Sequence, residues 1–226
     1  MLTAPTNTRQ SQLKRSIKLC INKLRRKNSS YPFDPTLDQN QLIFIHIPKA
    51  AGTSIRHALG LPETGRQHLP WWAYQQADRQ KFKTHFKFSF VRHPLDRFLS
   101  AYKYLLEGGN KKKDLEVQTA IAQYKCVNDF IEKELINGHL INHDLFRSQS
   151  FYLCNWRGEI MVDFLVKHES LDHDFNALSI KLGLHSKLQK LNTSNYQRGA
   201  LQSDNRTSEL IYELYKIDYL TFGYKK

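Results

Sequence analysis

Leu-Ile-Phe-Ile-His-Ile-Pro-Lys-Ala-Ala-Gly-Thr-Ser-Ile, residues 42–55, decides how the rest of this chain is read. The stretch begins as an apolar run, mostly β-branched or aromatic, the pattern of a strand buried on both faces. Pro48 breaks the run, small residues carry the chain to Gly52, and Thr53-Ser54-Ile55 opens a helix. A buried strand feeding a helix through a tight small-residue loop points backbone N–H groups and a helix N-terminus at one spot. That is the geometry of a phosphate site. The loop departs from the triphosphatase pattern G-x-x-x-x-G-K-[ST], because Lys49 precedes the glycine instead of standing just ahead of the hydroxyl pair. The displaced lysine implies a different phosphorylated ligand and a different leaving group.

Around this stretch, 226 residues suit one sizeable domain. A 40% hydrophobic and 12% aromatic content supplies a packed core and argues against a wholly disordered chain. The formal net charge is +13, unevenly spread. Through Asp34 there are eight Lys/Arg against that one acid, so the leader carries seven of the thirteen charges. The remainder suits an anionic cofactor or substrate and does not call for nucleic acid. Cys20, Cys126 and Cys154 are odd in number and lack C-x-x-C spacing, against a disulfide framework or a thiolate zinc site. The longest apolar run, near residues 42–47, is far short of the roughly 20 needed to span a bilayer. No secretory signal pattern is visible, so a soluble, cytoplasmic protein is expected.

The chain divides into a basic leader with its linker, 1–41, and a domain over 42–226. Leu13, Ile17, Cys20, Ile21 and Leu24 follow a helical stripe with Lys/Arg opposite. Two readings stay open: a basic amphipathic helix lying peripherally on an anionic membrane surface, or, preferred, a helix docking its stripe on the domain. Residues 28–41, with two prolines and a Ser-Ser pair, read as linker. Beyond the opening stretch, helices are expected at 54–59, at 71–82 behind Pro70, at 94–106 starting on Pro94, and over 117–136. Strand patterns fall at 86–91 and 161–166. Ser170 is placed to cap a further helix with Leu171, Phe175, Leu178 and Leu182 on one face, and Leu210, Leu214 and Ile217 mark a last one. Strands alternating with helices predict an α/β fold, three-layer αβα with a central parallel sheet.

Two strand-end motifs carry the chemistry: Pro48-Lys49-Ala50-Ala51-Gly52-Thr53-Ser54, and Val91-Arg92-His93-Pro94-Leu95-Asp96-Arg97-Phe98-Leu99-Ser100-Ala101-Tyr102. In a parallel sheet both project from strand carboxyl ends, where such folds bind ligands. Arg92 offers a fork for a phosphate, and Ser100, eight residues on, turns its hydroxyl to the same place from the helix begun at Pro94. One loop for one phosphate and an Arg/Ser pair for another fit a nucleotide phosphorylated at two positions.

These residues resemble the sulfotransferases that use 3′-phosphoadenosine 5′-phosphosulfate (PAPS), nearest to the carbohydrate branch of 2-O and chondroitin-type enzymes. The resemblance covers roughly 42–226 and rests on both motifs, on Val162-Asp163-Phe164-Leu165-Val166-Lys167-His168-Glu169-Ser170-Leu171, and on the closing Asp218 with Phe222-Gly223-Tyr224. It implies a P-loop-nucleotide-transferase-like fold, with Lys49, Ala51, Gly52, Thr53 and Ser54 around the 5′-phosphosulfate and Arg92 and Ser100 on the 3′-phosphate. Sulfonate transfer, like phosphoryl transfer, is an in-line displacement in which protein groups position and neutralise. Lys49 beside the bridging oxygen stabilises the charge on the departing phosphate. No metal is expected. The implied acceptor is a hydroxyl, on a saccharide by the same resemblance.

Such an acceptor needs a base, and histidine suits neutral pH. By the resemblance to 2-O-type enzymes, His68 in Arg66-Gln67-His68-Leu69-Pro70-Trp71-Trp72 takes that role alongside Lys49 as the catalytic pair. His46 is the rival, read instead as a strand-end histidine bonded to the backbone. His139 and His143, four apart, lack a third metal ligand in register, and the resemblance puts His143 beside the acceptor. Trp71, Trp72 and Tyr74 are either a sugar platform or helix packing. Lys111–Lys113 reads as a solvated charge run, Asp96 and Arg97 as structural ion pairs, and Leu191-Asn192-Thr193-Ser194-Asn195 as similar to a nucleotide-closing loop. Two positions depart from the pattern: Ala50, where a polar residue is common and one oxygen contact goes missing, and His93, where Asn or Asp is common. The rival functions are a P-loop-type kinase or nucleotide hydrolase, and a non-enzymatic basic module on membranes or nucleic acid.

Overall fold

A computed structural model describes residues 31–61, 67–110, 113–182 and 204–226. Three parallel strands form its sheet: β1 (Leu42–Ile45), β2 (Phe86–Val91) and β3 (Phe164–Lys167), in the order β1-β2-β3. Leu42 pairs with Phe86 and Ile45 with Ser89. On the other edge Phe88 pairs with Phe164 and Val91 with Lys167. Helices separate the strands in the chain, so the molecule is a mixed α/β fold built on a parallel sheet. Ile43, Phe44, Ile45 and the whole of Phe88–Val91 are buried, as continuous apolar runs in parallel strands should be. The one serine among them, Ser89, is tolerated because its Oγ donates to the Ile45 carbonyl at 2.6 Å.

The first helix, α1 (Pro35–Gln39), falls where a linker was expected. Asp34 caps it, accepting from the Thr36 N–H at 3.1 Å. Phe33 and Leu37 are buried in the sheet's core, and Asp38 pairs with His85 at 2.9 Å. Residues 33–39 are therefore packed into the domain and do not connect to it. The basic stripe of residues 13–24 lies outside the described residues.

After β1 comes α2 (Gly52–Ala58). The helix expected over 71–82 is two, α3 (Trp71–Ala77) and α4 (Arg79–Thr84). Asp78 is extended and its carboxylate accepts from the Lys81 N–H at 2.9 Å, so a residue that read as helix interior is a cap. Next, α5 (Pro94–Leu106) matches its expected bounds. The span 117–136 divides into α6 (Leu115–Ala122) and α7 (Val127–Phe130), which continues as a π-helical segment Ile131–Ile136. The short α8 (Gln149–Leu153) precedes β3, whose ladder opens at Phe164 because Met161 bonds to Leu153 and Asp163 brackets the Lys87 main chain. The chain closes with α9 (Leu171–Lys181), α10 (Asn205–Leu214) and α11 (Lys216–Phe222). Ser170 precedes α9 but gives its hydroxyl to Asp174 and does not accept a cap bond. Ile217 is exposed and so lies off the apolar face assigned to it.

Two apolar clusters result. One surrounds the sheet, with Ile55, Tyr152 and Phe175 among its members. The other lies among helices, where Phe98 and Tyr102 of α5 meet Phe130, Phe146, Ile211 and Tyr215. The segment from Ser89 to Tyr102 joins the two, and the loop between β2 and α5 is held on both sides.

Candidate functional site

The site begins at the carboxyl end of β1. Lys49 and Ala51 are both in the left-handed region, at φ +65° and +67°, which costs a side-chain-bearing residue roughly 1 kcal/mol or more each. Between them Ala50 is 1% exposed and part of the sheet's core. A polar side chain there would enter the core and need a buried partner. Ala51 caps α2 with no side-chain hydrogen bond. Gly52, Thr53 and Ser54 form the first turn, whose N–H groups an α-helix cannot satisfy internally.

Gly52 has a specific reason to be glycine. A Cβ there would sit 1.6 Å from Nε2 of His46, whose ring lies beneath the loop. That ring is buried, stacks on Phe44 at 5.3 Å, and lies 4.5 Å from the ring of His68. His46 is thus packing under the loop, while its carbonyl accepts from His68 Nδ1 at 3.2 Å. A carbonyl only accepts, so Nδ1 carries the proton and the lone pair of neutral His68 is on Nε2. Gly52→Ala is expected to cost about 1–3 kcal/mol of overpacking, read as a lower urea midpoint, and adding His46→Ala should restore most of it. A single variant that unfolds with the wild type would show that the ring does not reserve this space.

Lys49 runs to α5, its Nζ 4.5 Å from the centroid of Tyr104. Tyr104 is four residues from Ser100 and on the same helix face. Burial lowers the lysine's pKa, the Arg92 charge lowers it further, and Glu107 and Asp114 pull the other way. His168 is lowered by burial and again by Arg92. Arg92 therefore stands within electrostatic reach of both, at the carboxyl ends of β2 and β3. Its main chain is gripped by Gln149, and the following His93 N–H donates to Glu169 Oε1 at 2.6 Å. His93 also bonds the Lys225 carbonyl through Nε2, at 3.0 Å, so the departure at this position is tied into the fold.

The structure thus brings Lys49, Arg92 and the Ser100 face together, and sets His68 against the same loop. Other candidate residues are held by structural contacts. His143 lies 3.6 Å from Asp114 through Nε2 and accepts the Leu145 N–H on Nδ1, and His139 turns to Glu116. With both nitrogens engaged, His143 pins a loop beside Asp114, whose charge also reaches Lys49. Trp72 and Tyr74 are buried, and Trp71 donates Nε1 to the Cys154 carbonyl at 3.0 Å, so packing accounts for them. Arg97 is buried and donates to the carbonyls of Leu145 and Arg147, where an ion pair was expected. Residues 111–112 and 191–195 lie outside the described residues. Among the described residues no group of three His, Cys, Asp or Glu side chains is arranged to hold a metal.

The model of the Sulfotransferase family matches residues 36–225. The chain belongs to the sulfotransferase family. Among curated proteins it is similar to carbohydrate sulfotransferase 11 of Rattus norvegicus and of Mus musculus. Each is 25% identical over 173 residues, covering 64% of this chain and 48% of the relative. The chain spans about half the length of these relatives. No solved structure gives a significant match. In a sulfotransferase, Tyr104 beneath the lysine and Gln149 behind Arg92 are the residues that sequence reasoning missed. Tyr104 was within reach through its spacing from Ser100. Gln149, 57 residues from Arg92, carried no local signal.

Proposed function

We propose that this protein transfers the sulfonate group of PAPS to a hydroxyl, on a saccharide acceptor. The observation that carries the proposal is the convergence on one loop. The Lys49 amine lies over the α5 face that bears Ser100, within reach of Arg92, while the carbonyl of His46 three residues earlier holds His68. PAPS supplies an activated sulfonate, and its transfer leaves adenosine 3′,5′-bisphosphate. Lys49, with the first-turn N–H groups of Gly52, Thr53 and Ser54 and the loop at Ala51, meets the 5′-phosphosulfate. Arg92 and Ser100 take the 3′-phosphate. A left-handed loop and an arginine fork suit two separated anionic groups.

In the reaction the acceptor oxygen bonds to sulfur as the bond from sulfur to the phosphate oxygen breaks. His68 Nε2 takes the hydroxyl proton, and Lys49 offsets the charge growing on the departing oxygen. The saccharide class rests on the names of the relatives and the three-layer, P-loop-nucleotide-transferase-like description on the resemblance of the motifs, while the packing of Phe33 and Leu37 extends the proposed domain to before residue 42. A cytoplasmic setting is part of the same proposal.

Calorimetry with two nucleotides tests the donor. Adenosine 3′,5′-bisphosphate is expected to bind more tightly than ATP, and radiolabelled sulfonate should pass from PAPS to a saccharide in an acceptor panel. Tighter ATP binding would favour a kinase or hydrolase and end the proposal.

A further inference from the structure

We infer that Gln149 is a positioning residue of the donor site, fixing the main chain of Arg92 so that its guanidinium meets the 3′-phosphate; this rests on the donor assignment proposed above. The β2–β3 ladder ends at the pair Val91 and Lys167, and β3 then turns into a 3₁₀ segment, His168–Ser170. The main chain of Arg92 has thus outrun its strand partner. Gln149 takes that partner's place: its Oε1 accepts the Arg92 N–H at 2.9 Å and its Nε2 donates to the Arg92 carbonyl at 2.8 Å. One side-chain amide satisfies both main-chain groups, as a neighbouring strand would.

Gln149 is itself fixed. It is fully buried, and its own N–H donates to Asp218 Oδ2 at 2.7 Å, while the Ser150 N–H donates to Oδ1 at 2.8 Å. Asp218, from α11, is also fully buried, so its carboxylate anchors the first turn of α8. A polar amide with no exposed surface is unfavourable unless paired, and leucine or methionine would fill that space but leave the Arg92 N–H and carbonyl without their partner. What the amide adds is a fixed Cα for Arg92, and an arginine fork displaced by about 1 Å loses much of its hold on a phosphate.

The test uses the full chain and two nucleotides, adenosine 3′,5′-bisphosphate and adenosine 5′-monophosphate, whose affinity ratio reports the 3′-phosphate contact. Gln149→Met keeps volume and removes both bonds to Arg92. It is expected to cut the ratio about tenfold, leaving the monophosphate affinity within about twofold. In an Arg92→Ala background the same change should have no further effect. Should Gln149→Met fail to fold, Gln149→Asn, which keeps an uncharged amide but is one methylene too short to hold both Arg92 groups, carries the same comparison with a smaller loss. A folded variant with an unchanged ratio, or with equal loss of both nucleotides, overturns the inference alone. A wild-type protein with no preference for the bisphosphate overturns the donor assignment with it.

Discussion

Replacing His68 with alanine is expected to lower turnover by about two to four powers of ten, while adenosine 3′,5′-bisphosphate still binds within about twofold of the wild type. The size follows from the role: an acceptor hydroxyl is a poor nucleophile until its proton has somewhere to go. The selectivity follows from the geometry. His68 touches the donor loop through the carbonyl of His46, at 3.2 Å, and that carbonyl fixes which nitrogen carries the proton. Removing the imidazole takes away the lone pair on Nε2 and leaves Lys49, Gly52 and Arg92 in place. Steady-state kinetics beside nucleotide titration reads both quantities. Turnover near the wild-type rate would show that another group takes the proton.

Lys49→Met is expected to lower turnover by about 10²–10³, the range for losing one group that meets developing charge in the transition state, and also to raise the melting temperature. The second outcome comes from the lysine's surroundings. Burial, then the charge of Arg92, lower its pKa, and Glu107 and Asp114 compensate only in part. A base whose folded pKa lies below its unfolded value is held less well as a cation in the folded state than in the unfolded one. Its charge therefore disfavours folding at neutral pH, an effect that fades as pH rises through the folded value. The neutral methionine ends that opposition. The same shift predicts that wild-type turnover falls on its alkaline side below the ordinary lysine range. A variant that melts lower than the wild type would mean that the cation is held by net favourable contacts, such as the Tyr104 ring.

Much of this arrangement was legible in the chain. Apolar runs at 42–47 and 86–91 had to contain buried strands, although the first pairs only over Leu42–Ile45, and a proline at the start of 94–106 set that helix to the residue. Lys49, Gly52 and Arg92 could be named because their chemistry depends on local spacing. Long-range contacts were less visible. Asp78 reads as a helix residue until its carboxylate is seen capping Lys81. The paired tryptophans leave platform and packing both open until Trp72 proves buried and Trp71 tied to Cys154. Gly52 was legible as a small residue, yet its reason lies six residues back in the ring of His46. Side chains that act on distant main chain, as Gln149 and Asp218 do, leave no periodic mark.

Ala50, set in the core between two left-handed residues, has a consequence for binding as well as for shape. A loop fastened through its middle residue has lost its conformational freedom when the domain folds, and a ligand need not remove it again. With the donor assigned to this loop as proposed, the positive charge of Lys49 and Arg92 is expected to steer the anion onto a loop already shaped to receive it.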